Sequence, residues 1–118
     1  SFFYIGFIMR KCLFLIMFIF FSFNLAYTLT QDEETLLDAS IFGDDDIVED
    51  LIAKNVNINV QDEVGNTALI LASMEGHTKV VALLLNANAD KYVVNNDGND
   101  ALFYARQKNH KNIIKLLE

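Results

Sequence analysis

Few residues in this chain are of types that do chemistry: His77 and His110, the run Asp44-Asp45-Asp46, Ser40 and Ser73, and one cysteine, Cys12. Two imidazoles on one zinc must each approach the metal to about 2 Å, with cysteine or a third histidine completing the set. Here they stand 33 residues apart and Cys12 lies in the leading segment. The spacing therefore predicts histidines that hydrogen-bond in the turn between two helices. Three consecutive aspartates lack the alternating ligands, central glycine and terminal glutamate of a calcium loop. They read as a helix start, where carboxylates cap free N–H groups and complement the dipole. Ser40 and Ser73 follow the small Ala39 and Ala72, and no base is placed to activate them, so they read as close-packing residues. The carboxylates fall on turns and helix starts, where nothing favours acid catalysis, and no glycine-rich phosphate loop is present. The expectation is a non-enzyme with no catalytic residue, cofactor or metal.

Composition narrows the field further. The 118 residues carry a formal net charge of −7, which excludes a basic nucleic-acid-binding face. Hydrophobic residues make up 53%, and many of them crowd into residues 1–29. Met9-Arg10-Lys11 is a short basic start, Cys12 to Ala26 is an apolar run broken only by Ser22 and Asn24, and Gln31-Asp32-Glu33-Glu34 is polar. That order is the signature of a secretory signal peptide, with cleavage after Ala26 or after Thr28. Met9 reads as the true start, with residues 1–8 an extension ahead of it. The alternative is a retained membrane anchor, for which about 20 apolar residues are needed. Without Arg10 and Lys11 the remainder carries seven basic and sixteen acidic side chains, net −9.

The elements that position the remaining residues repeat. A shift of 33 residues lays Gly65 on Gly98, Leu69 on Leu102, Ala72 on Ala105, His77 on His110 and Val80-Val81 on Ile113-Ile114. The reverse shift lays Gly76 on Gly43, Leu69 on Leu36, Val81 on Val48 and Leu84 on Leu51. A fixed period of this length means stacked supersecondary units, because one unit cannot hide its apolar face alone. Leu36, Leu37, Ala39 and Ser40 fit a first helix, Gly43 ends it, and a second helix runs from Ile47 to Ala53. Thr67 is placed to cap the next helix with its hydroxyl. Asn55 and Asn88 follow helix ends that call for a left-handed backbone, which asparagine tolerates best after glycine.

The stretch from Asp62 to Asp90 resembles the ankyrin repeat, with its D-x-x-G-x-T turn, G-H step and V-V-x-L-L-L helix. The resemblance implies an all-α solenoid of stacked helix-turn-helix repeats at about 34–61, 62–94 and 95–118, preceded by an apolar N-terminal helix. The family's T-P-L-H appears as Thr67-Ala68-Leu69-Ile70 and Asp100-Ala101-Leu102-Phe103. The missing histidine removes a group that in the family ties adjacent turns. Aligned units read Asp38, Leu71, Tyr104 and Asp50, Leu83, Leu116 at two positions, expected to face the preceding repeat. A third reads Ile52, Leu85, Glu118 and is expected to face the following one. Polar residues at the outer positions suggest a capped stack of three.

By the same resemblance, the turn tips and the exposed side of each first helix form a concave contact face. Carried over, that face comprises Glu63, Val64, Asn66, Met74 and Glu75, then Asn96, Asp97, Asn99, Gln107 and Lys108. Val64 and Met74 are apolar where water is expected, and such groups anchor partners. The implied function is non-covalent binding of a neutral or basic protein by an exported monomer, secreted or periplasmic. The alternatives are a membrane-anchored scaffold or an enzyme's accessory subunit.

Overall fold

A computed structural model describes residues 29–118; the leader, its cleavage or anchoring, and the apolar N-terminal helix fall outside the described residues. Among these residues six helices and no strands occur. They are α1 (Gln31–Phe42), α2 (Asp45–Ala53), α3 (Ala68–Glu75), α4 (Thr78–Asn86), α5 (Ala101–Gln107) and α6 (Lys111–Leu117). Helices of 7 to 12 residues are marginal alone in water, so tertiary packing must hold them. Each pairs with its chain neighbour. The first helices form one layer, α1 on α3 on α5, and the second helices another, α2 on α4 on α6.

The helix boundaries follow from local chemistry. Thr30 caps α1 through a reciprocal box: its hydroxyl accepts from Glu33 N (3.2 Å) and the Glu33 carboxylate accepts from Thr30 N (2.8 Å). Thr67 accepts from Ile70 N at 3.2 Å to open α3, and Asp100 does the same for α5 through Phe103 N at 2.8 Å. Left-handed residues close the helices. Asn55 (φ 60°) and Asn88 (φ 64°) adopt the expected conformation, and Asn109 (φ 58°) joins them. Asn109 stands where the earlier repeats place Gly43 and Gly76.

The aspartate run meets expectation in part: Asp45 and Asp46 fall in the first turn of α2, where they complement its dipole. Asp44 precedes α2 but its side chain makes no capping bond. Its backbone (φ −79°, ψ 80°) matches that of His77 (−85°, 80°) and His110 (−80°, 80°), a setting that leaves all three side chains unable to cap. The histidines use the same setting to reach back. His77 Nε2 donates to Ile41 O at 2.8 Å and His110 Nε2 to Met74 O at 3.3 Å. These bonds link successive repeats, where the sequence suggested a bond within one turn. They also explain the glycine of the step: a Cβ on Gly76 would stand 2.7 Å from the His110 ring.

Packing reproduces the stacking pattern. Leu36, Leu69, Val48, Val81, Leu84 and Ile113 are fully buried, each contributing on the order of 1.5–3 kcal/mol. In α3 every residue from Ala68 to Ser73 is buried, because neighbours cover both of its sides. Asp38 is exposed, whereas Leu71, beside Leu37 and Ile41 of the first repeat, is buried and Tyr104 is half-buried. Ile52 and Leu85 pack on the core and Glu118 is exposed. Leu116 departs from this pattern: Leu83 packs on the core, but Leu116 is 42% exposed. At that end Ile113 and Leu117 carry the burial instead. Phe103, in the place of buried Leu37 and Ile70, is also partly exposed.

Candidate protein-binding face

The turn before α3 is built by one carboxylate. Asp62 Oδ1 accepts from Val64 N (3.0 Å) and Asn66 N (2.8 Å), while Asp62 N donates to Asn66 O (3.0 Å). This holds Glu63 and Val64 outward at the tip, where both are exposed. The next turn copies the design with an amide in place of the carboxylate. Asn95 Oδ1 accepts from Asp97 N and Asn99 N, both at 3.1 Å. Asn95 Nδ2 then donates to Asn66 Oδ1 (2.9 Å) and to the Tyr104 hydroxyl (2.8 Å). An aspartate could make the first two bonds but could not donate to Asn66 Oδ1, since a carboxylate only accepts.

That bond corrects one assignment. Asn66 is buried, held beneath the turn by Asn95, so it is not on the outer face. Asn99 is half-buried, its backbone N–H engaged by Asn95. Met74 is half-buried against the core and presents only part of its side chain to water. Glu63, Val64, Glu75, Asn96, Asp97, Gln107 and Lys108 are exposed.

Adjacent tips are tied together where the family motif's histidine is missing. Asn96 N donates to Val64 O (3.0 Å) and Asn96 Nδ2 to Glu63 O (3.2 Å). Gln61 Nε2 donates to Gly65 O (2.8 Å) and Val94 O (3.3 Å). These amides supply hydrogen bonds between turns that the side chains of Ile70 and Phe103 cannot make.

Three exposed apolar residues at the end of α1 and before the last turn escape the motif-based reading: Ile41, Phe42 and Val94. Ile41 and Phe42 occupy in the first repeat the places of Met74 and Glu75, so extending the period to the first unit identifies them. Val94 immediately precedes the Asn95 turn, as Gln61 precedes the Asp62 turn.

The electrostatics are graded along the stack. Residues 30–61 hold nine acidic side chains and one basic, whereas residues 95–118 hold three acidic and four basic. Among the described residues, one acidic side chain of the first repeat pairs with a cation: Asp45 with Lys79 of the second repeat. The Lys79 ammonium, chiefly by hydrogen bonding, holds the Asp45 carboxyl below its ordinary value, and Asp45 raises Lys79. Both imidazoles are engaged by backbone carbonyls of the preceding repeat. Ser40 Oγ donates to Leu36 O at 2.7 Å inside its own helix. What the face offers is a row of tips and partly exposed apolar groups.

No described helix is long and apolar enough to cross a membrane. A comparison with curated proteins gives no match. The family model described as Ankyrin repeats (3 copies) matches residues 36–118, the span over which the three helix pairs stack. The chain belongs to the ankyrin-repeat family.

Proposed function

We propose that the chain is an exported, non-catalytic binding protein whose concave face holds a neutral or basic protein partner. Ankyrin repeats act as protein–protein interaction modules, and that much belongs to this chain with its family. The observation that carries the finer reading is the row of exposed apolar side chains, Ile41, Phe42, Val64 and Val94, on or beside the tips and first-helix ends. Isolated apolar residues on a surface are ordinary, but several on one face mark contact sites. The acidic balance of the first repeat favours a basic or neutral partner by steering the encounter. Export is supported by the order basic pair, apolar run, polar ground in residues 9–34; carbonate extraction separates a cleaved leader from a retained anchor.

The test is site-specific photocrosslinking of the full chain in its native extract. A photoreactive residue at Val64 or Phe42 is expected to capture a discrete protein, and the same residue at Asn86 to capture none. Equal capture from Asn86, or none from either tip, would overturn the assignment of the face.

A further inference from the structure

We infer that the junction between the first and second repeats is a receptor for a single arginine or lysine side chain presented by the bound protein. The inference rests on the concave-face reading and adds to it the chemistry of one subsite. A depression of ≈ 260 Å³ opens there between α1 and the α3 turn. Its apolar lining is Leu29, Leu37, Ile41 and Leu71, and carboxylates of Glu34, Asp38 and Asp62 stand around it. Leu37 and Leu71 are buried at the base, while Ile41 is 36% exposed. Glu34 and Asp38 are exposed and Asp62 is half-buried.

A long basic side chain has the two parts this arrangement matches. Its methylene stem covers apolar surface while its charged head stays near water and carboxylate. Arginine's planar fork suits a carboxylate partner particularly well. An apolar side chain would leave the carboxylates facing hydrocarbon, and an acidic one would meet like charge.

The repeat supplies its own control. One unit on, the places of Leu29, Glu34, Leu37, Asp38, Ile41, Asp62 and Leu71 are taken by Asp62, Thr67, Ile70, Leu71, Met74, Asn95 and Tyr104. The three carboxylates are gone from their places, and the one that enters, Asp62, has its Oδ1 engaged by the N–H groups of its own turn. Tyr104 stands where Leu71 stands in the first, and its hydroxyl reaches Asn95, the counterpart of Asp62, at 2.8 Å. The ring thus spans the ground that Leu71 leaves open. Of the two described junctions, the first has the three carboxylates around its apolar base.

The test is methyl NMR of the full chain titrated with two capped peptides. They are identical except that a central arginine, flanked by leucines, is replaced in one by its neutral isostere citrulline. The arginine peptide is expected to shift the methyl signals of Leu37, Ile41 and Leu71. Its affinity should exceed that of the citrulline peptide by about tenfold at low salt, with the ratio narrowing as salt is added. In Asp38→Leu, which borrows the neighbouring repeat's residue, the ratio is expected to fall close to unity. Leu71→Tyr, borrowed likewise, is expected to abolish the Leu37 and Ile41 shifts. Equal affinity for the two peptides, or indifference to both substitutions, would overturn the inference. Shifts confined to Val64 and Met74 would overturn it while leaving the concave face standing. If neither peptide binds and the Val64 photocrosslink captures nothing, both readings fall. Concentration-dependent shifts of the same methyls without peptide would give the depression to a second copy of the chain and overturn the assignment.

Discussion

Ser40 and Ser73 occupy the same place in successive repeats, and both are completely buried. Their hydroxyls differ in one respect. Ser40 Oγ donates to Leu36 O at 2.7 Å, while Ser73 Oγ has no hydrogen-bond partner among the described residues. A buried hydroxyl without a partner costs about 1–3 kcal/mol. Alanine also exceeds serine in helix propensity by up to about 0.7 kcal/mol. Ser73→Ala is therefore expected to stabilise the chain by about 1–2 kcal/mol. Ser40→Ala loses a bond worth about 1 kcal/mol and regains part of that through propensity, so its net change is a loss below about 1 kcal/mol. With urea slopes of about 1–3 kcal/mol/M, the midpoint of Ser73→Ala should rise by about 0.3–2 M and that of Ser40→Ala should fall slightly. Urea unfolding followed by far-UV circular dichroism measures both, and an unchanged slope confirms that the midpoints report stability. A lower midpoint for Ser73→Ala than for the parent, or equal shifts in the two variants, would refute the argument.

Three further outcomes follow from the geometry. Gly76→Ala places a Cβ 2.7 Å from the His110 ring at φ +81°, whereas Gly98→Ala at φ +79° meets open space. Both carry the left-handed penalty of about 1–2 kcal/mol, so the first should lose more stability than the second on the same urea assay. Asn95→Ala removes the group that organises the last turn and holds Asn66 and Tyr104. A loss of about 2–3 kcal/mol is expected, against less than about 1 kcal/mol for the exposed Asn96→Ala. The Asp45–Lys79 pair should show in the acid limb of a thermal titration. Because the folded Asp45 pKa is lowered from 3.8, its stabilisation is present above 3.8 and lost as pH falls through the lowered value. The melting temperatures of the parent and Lys79→Gln should converge there.

The stack was legible from the chain because its determinants are local and repeat. Leucines at Leu36 and Leu69, the cap at Thr67 and the left-handed asparagines at Asn55 and Asn88 each act within a few residues. The misplacements arise where a side chain's partner lies in another repeat. Asn66 reads as a surface turn residue until Asn95, 29 positions later, closes over it. Asp44 reads as a cap because aspartate usually is one, yet its ψ of 80° belongs to a step whose histidine counterparts serve a contact across repeats. The exposure of Glu63, Val64 and Glu75 was legible in the repeat pattern. That of Ile41 and Phe42 was not, because the first unit's divergent letters concealed their equivalence to Met74 and Glu75.

The layered order α1, α3, α5 and α2, α4, α6 also fixes how the molecule would yield to mechanical tension. Load applied between its two ends is borne in series, so the weakest joint opens first and the others keep their shape. Extension should begin at an outer pair, since the middle pair is gripped from both sides, and the two pairs left should then give way together because neither hides its apolar face alone.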